Sequence, residues 1–232
     1  MSARRSSQCS AGVSGFFQLD PQAVTALAQR WQALVSSLDA SSAVVDATFS
    51  LLQKHHSERG RHYHTLGHVR GLLDLADEFA GQMRDPRAVQ LAIWFHDAIY
   101  RSRRADSEER SAQLAIAALG RLRVPAEVIE QVARMIRATK GHDAASLDED
   151  GRWFLDLDLA IFGADPQIYR EYRQAIRREY RWVPSLLYRR GRREVLEGFA
   201  RRERLFHQAP MHERLEAQAR GNIAAELKAL GA

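Results

Sequence analysis

Three Asp-Pro pairs constrain this chain most. Asp20-Pro21, Asp85-Pro86 and Asp165-Pro166 each set an N-capping carboxylate directly before a proline. Proline's fixed φ and missing N–H suit the first turn of a helix. Val124-Pro125 opens another segment in the same way, without a capping side chain. Behind these starts, apolar residues recur at three- and four-residue intervals, as in Val89, Ala92 and Ile93, or Val128, Val132 and Ile136. That is the period of a helix with one buried face. Gly163 follows the last apolar residue of its segment and fits a helix stop. Period-two alternation is absent, and no repeat of fixed length occurs. The pattern predicts an all-α fold, with helices near 21–38, 41–56, 65–83, 86–101, 106–120, 125–139, 152–162, 166–182, 192–206 and 211–230. The polar loop 140–151 is a candidate mobile rim.

A 232-residue chain that is 45% hydrophobic can bury a full core as one domain, here read as 20–232. Residues 1–19 begin Arg- and Ser-rich without acids and carry no apolar segment of signal-peptide length. They read as a disordered tail rather than a targeting peptide. The longest apolar candidate, 88–99, is broken by Gln90, His96 and Asp97 and falls short of the roughly 18 residues of a membrane span. No membrane partner is expected, and the cytoplasm is the default location. Cys9 is the only cysteine, which excludes intrachain disulfides and cysteine-rich zinc sites. Any metal must use His, Asp or Glu.

Net charge is +5, but its distribution is more informative. Residues 170–204 hold twelve arginines, no lysine and five glutamates, a local excess of +7. The C-terminal helices, about 165–232, are expected to pack on the core. Their charge suits either an anionic partner, such as phosphate or nucleic acid, or a solvated helical face. Tyr169, Tyr172, Tyr180 and Tyr188 run through this stretch at helical spacing. They read as packing residues, with base stacking as the alternative.

The chemistry-bearing residues are histidines and aspartates. His62, His64 and His68 crowd one segment, and His64 and His68, four apart, share a helix face. His96-Asp97 ends the most apolar helix, in LAIWFHDAIY. Adjacent helical positions diverge by about 100°, so both reach one ion only at the seam between them. A buried Asp is costly unless paired or metal-bound. A metal site and a simple His–Asp hydrogen bond both satisfy that requirement. In WFLDLDLAIFG, Asp156 and Asp158 sit two apart in an apolar helix and face nearly opposite ways, so one of them enters a common site.

The order His68, His96-Asp97, Asp158 resembles the H…HD…D signature of the HD-domain phosphohydrolase superfamily. The strings YHTLGHV, FHDAIY, EERSA and FLDLDLAIFG are similar to a bacterial branch of metal-dependent HD phosphohydrolases, over about residues 61–226. The resemblance implies an HD-type helical bundle with a C-terminal extension and a metal held by His68, His96, Asp97 and Asp158. It favours His68 over His64, because Val69 and Leu72 follow it, and Asp158 over Asp156, because Leu157 and Leu159 flank it. Glu109 stands near where some relatives carry a further histidine, and His142 is the only later candidate, so one metal is expected.

Two imidazoles and two carboxylates suit Mn, Fe, Co, Ni or Zn, and Mg less well. Such an ion can acidify water at neutral pH and polarise a phosphoryl oxygen. Lys140, Arg177, Arg178, Arg192 and Arg193 are the candidate phosphate-binding cations, with His142 beside them, and His64 or Glu109 could move a proton. The expected substrate is a small phosphate ester or a nucleotide. The alternative is a non-catalytic nucleic-acid-binding or regulatory protein on the same scaffold. It is not favoured, because no nucleic-acid-binding motif is present and a binder has no need of buried carboxylates.

Overall fold

The computed structural model describes residues 17–231. Among them are ten α-helices and no strand: α1 (Pro21–Val35), α2 (Ser42–His56), α3 (Leu66–Glu78), α4 (Pro86–Phe95), α5 (Ser107–Arg121), α6 (Ala126–Ala138), α7 (Glu149–Leu159), α8 (Pro166–Glu179), α9 (Ser185–Ala200) and α10 (Ala209–Gly231). The three Asp-Pro pairs cap as predicted: Asp20, Asp85 and Asp165 accept from the amides of Ala23, Ala88 and Gln167. No helix among the described residues is long and apolar enough to cross a membrane.

The central element is α4. Its last five residues are apolar on every side, so they must be surrounded, and Leu91 through Phe95 have no exposed surface. Helices α3, α5, α6 and α7 pack around it. Trp31 of α1 meets Trp94 edge-on at 5.5 Å between ring centroids. The helix stops at Phe95, short of the predicted residue 101, and His96-Asp97 occupies the turn beyond it. The dyad thus leaves the middle of the core on a bend.

The predicted helix over 65–83 divides into α3 and a 3-10 turn over Ala80–Gln82, and that over 152–162 into α7 and a turn over Ala160–Gly163. The largest correction is α9. It begins at Ser185 rather than 192, behind Pro184, and ends at Ala200. Gly163 has a packing role besides ending its segment: a Cβ there would lie 2.6 Å from Cβ of Leu215 on α10. Of the predicted tail, residues 1–16 lie outside the described residues. Phe17 is buried, stacks edge-on with Tyr63, and takes the Thr65 hydroxyl on its carbonyl at 2.6 Å. The packed chain therefore starts no later than Phe17.

The Arg-rich helices pack on the core, as their apolar stripe requires. Tyr169, Tyr172 and Ile176 of α8, and Leu196 and Phe199 of α9, are buried. Glu226 of α10 is buried against them. It accepts from the Tyr169 hydroxyl at 2.6 Å and from Arg192 through Nε and Nη2 at 3.0 and 3.1 Å.

Candidate metal centre

Four of the five buried acids among the described residues hold backbone amides; Glu226, paired with Tyr169 and Arg192, is the fifth. Asp150 accepts from the amides of Arg84 and Asp85, both at 2.8 Å, and so seats the start of α4 on α7. Glu216 accepts from Leu205 and Phe206. Asp156 accepts from His207 at 2.8 Å and Gln208 at 2.7 Å, so both its oxygens are spent on the segment before α10. Burial nevertheless pushes its pKa up to about 7. Glu179, at the end of α8, accepts from the amides of His62, Tyr63 and His64 on Oε1, and from His64 Nδ1 on Oε2 at 2.6 Å.

Asp97 and Asp158 depart from this rule, because their side chains face histidines. His96 Nε2 lies 3.0 Å from Asp97 Oδ2 and 3.6 Å from Asp158 Oδ1. His68 Nε2 lies 3.5 Å from Asp158 Oδ1 and 3.9 Å from Asp97 Oδ2. The two Nε2 atoms are 3.2 Å apart. His96 Nδ1 contacts the Ile93 carbonyl at 2.9 Å, which aims Nε2 at the other donors. Ligand atoms of His68, His96 and Asp158 all fall within 4.8 Å of one another, so this buried cluster can hold a metal ion. Asp97 reaches the same two nitrogens from the adjoining turn. Imidazole nitrogens facing one another between carboxylates are the arrangement a cation satisfies. Nothing in the cluster distinguishes one transition metal from another.

Four elements meet at this point. His68 stands in the first turn of α3, whose N-cap Thr65 accepts from the Gly67 amide. Gly67 is required by close approach, since a Cβ there would lie 2.3 Å from the Phe17 carbonyl oxygen. The α4 turn brings His96 and Asp97, and Arg61 holds it by donating to the carbonyls of Asp97 at 2.6 Å and Ala98 at 2.8 Å. Asp158 comes from the last turn of α7. His142, in a left-handed conformation with φ 47°, follows α6 and binds Asp158 Oδ2 at 2.8 Å, which leaves Oδ1 to His68 and His96.

Burial opposes ionisation of Asp97, but His96 and His64 hold its carboxyl well below the usual range. Hydrogen bonds from His142 and His68 do the same for Asp158 against its burial. His96 is raised to about 9, because Asp97 and Asp158 outweigh the cost of burying its charge. Burial lowers His68 in spite of Asp158. His64 sits just outside the cluster, with Nε2 3.8 Å from Asp97 Oδ2. Tyr100 stacks on its ring at 3.8 Å, and Glu179 fixes its other nitrogen. Glu179 and Asp97 raise its pKa against burial.

The chain matches no family model, no curated protein and no solved structure.

His96, Asp97 and Asp158 line a cavity of about 540 Å³, lined also by His64, His142, Tyr172 and Arg192. The other predicted residues lie elsewhere. Glu109 is on the exposed face of α5, bound twice to Arg137, and its neighbour Glu108 lines the cavity instead. Adjacent helical positions point about 100° apart, a phase that spacing in sequence does not fix. Lys140 is exposed and outside the cavity. Arg177 donates to the carbonyls of Tyr180 and Val183, closing the turn between α8 and α9. Together with Arg178 it lines a separate groove. Arg193 lies by Gly231 at the far end of α10. Arg192 reaches the cavity wall, but Glu226 already engages it through two nitrogens. Sequence reasoning passed over Arg61, Tyr100 and Glu179. Glu179 was present in the sequence only as one of five glutamates among twelve arginines.

Proposed function

We propose that this protein is a metal-dependent phosphohydrolase of the HD kind, with one divalent transition metal held by His68, His96, Asp97 and Asp158. The observation that supports it best is a buried cluster of His68, His96 and Asp158 able to hold an ion, with Asp97 3.0 Å from His96, beside a solvent-reaching cavity. An ion in such a set supplies acidified water and counter-charge for a phosphoryl oxygen. The chain's own residues do the remaining work. His142 orients the Asp158 carboxylate through Oδ2. Arg61 fixes the backbone of the turn that presents Asp97. His64, oriented by Glu179 and packed on Tyr100, presents Nε2 to the cavity, where it can take or give a proton.

The test is hydrolysis of a panel of phosphate esters by the purified chain, with Mn, Co, Ni and Mg added in turn. Hydrolysis that is abolished by a chelator and by His96→Ala is expected. Full metal loading without hydrolysis of any ester would refute the proposal.

A further inference from the structure

The walls above the donor cluster do not match a highly charged substrate. On one side they are Phe162, Tyr172 and Ile176, and on the α9 side Leu187, Val195 and Phe199. Arg192 is the only lysine or arginine among the lining residues. Its guanidinium is buried and neutralised by Glu226 at 3.0 and 3.1 Å, with Tyr172 packed against it at 5.3 Å. Asp97, Asp158 and Glu108 add negative charge to the same cavity. One divalent ion would balance the two carboxylates that hold it, Asp97 and Asp158, and would offer its open positions to a single phosphoryl group. Beyond the first phosphoryl group, a di- or triphosphate would meet Glu108 and apolar surface, with His64 held by Glu179 and no unpaired lysine or arginine among the described lining residues.

The rim leads to the same conclusion. Leu187 and Val195 line the cavity while 58% and 50% exposed, and Leu186 beside them is 79% exposed. Apolar side chains clustered at the mouth of a site are favourably buried when an apolar ligand covers them.

We infer that the substrate carries a single phosphoryl group on an apolar or aromatic body that fills the space between α8 and α9, rather than a nucleoside polyphosphate. The inference rests on the phosphohydrolase reading for the phosphoryl group, and on the cavity walls for the body.

Alkylphosphonates separate the two, because their C–P bond resists hydrolysis and binding alone is read. Titration calorimetry on the Mn-loaded chain with ethyl-, butyl-, hexyl- and octylphosphonate should show Kd falling roughly three- to fourfold per methylene. ADP and ATP should bind no more tightly than AMP. Leu187→Asp and Val195→Asp change exposed residues, so folding is retained. They should flatten the octyl end of the series and leave ethylphosphonate unchanged. A Kd independent of chain length, or one that tightens with each added phosphate, would overturn the inference. So would a flat series accompanied by a dimer that Leu187→Asp dissociates, since the rim would then be covered by a second copy. Hydrolysis of octyl phosphate is measured alongside. A steep phosphonate series without hydrolysis leaves the substrate shape standing and removes the phosphohydrolase reading. Hydrolysis with a flat series does the reverse.

Discussion

Removing Glu179 should unlatch the segment that carries His64. Its carboxylate is buried and receives four hydrogen bonds, from the amides of His62, Tyr63 and His64 at 2.7, 2.7 and 3.1 Å and from His64 Nδ1 at 2.6 Å. Glu179→Ala leaves these donors without their acceptor, and breaking such a buried charged network costs about 3–5 kcal/mol. The pKa leads to a similar figure. Against burial, His64 and the amides lower Glu179 from 4.5 to about 2. That shift corresponds to stability on the order of 3 kcal/mol. It is present above pH 4.5 and lost as the pH falls towards 2, because the folded carboxylate resists protonation that the unfolded one accepts. Urea unfolding at pH 7 should show the loss for Glu179→Ala, with a melting temperature lower by roughly 6–20 °C. Glu179→Gln keeps Oε1 for the amides and loses only the charged bond to His64, so it should cost about 1–2 kcal/mol. Its unfolding should also lose part of the wild-type dependence on pH below 4.5. A Glu179→Ala loss under about 1 kcal/mol, or an acid limb identical in Glu179→Gln and wild type, would refute this reasoning.

Arg192→Ala should act on stability. It removes the two-nitrogen contact from the buried Glu226, which keeps Tyr169 and Arg173, and should cost about 2–3 kcal/mol in urea unfolding, whereas Arg193→Ala should stay within about 0.5 kcal/mol; equal effects would contradict the pairing. His56, buried beneath the end of α4 with Nδ1 unpartnered, is lowered from 6.5 to about 3, by burial first and Arg61 second. The folded protein therefore binds fewer protons than the unfolded chain in that window. The neutral imidazole's contribution is full above pH 6.5 and falls by up to about 1.4 kcal/mol per unit as the pH drops towards 3. His56→Leu should flatten the stability profile between pH 6.5 and 5, and an unchanged slope would show that His56 does not titrate there.

Helix starts were legible where the chemistry is local. An Asp-Pro pair carries both cap and first turn, and all three positions fold accordingly. Val183-Pro184 is the same uncapped pair as Val124-Pro125 but was not read as a helix start, and α9 begins seven residues earlier than predicted. The HD pair was placed within a helix at the limit of two diverging directions. In the structure the backbone turns after Phe95, and both side chains meet the same point. Asp156 and Asp158 look alike in sequence. They are distinguished by the amides of His207 and Gln208, some fifty residues away, and only tertiary structure brings those near. The arginine excess read as phosphate-binding is largely absorbed by local partners. Arg177 closes a turn, Arg192 meets Glu226, and Arg202 donates to the carbonyls of Gly141 and His142.

The central claim is that His68, His96, Asp97 and Asp158 hold one metal while Asp156 holds the backbone. Metal content by elemental analysis, after loading with Mn or Co and exhaustive dialysis, tests it most directly when helicity is checked in parallel. Wild type and Asp156→Asn should retain one equivalent. His68→Ala, His96→Ala, Asp97→Asn and Asp158→Asn should each lose most of it while remaining helical. Full metal in Asp158→Asn together with loss in Asp156→Asn, or no bound metal in the wild type, would contradict the account.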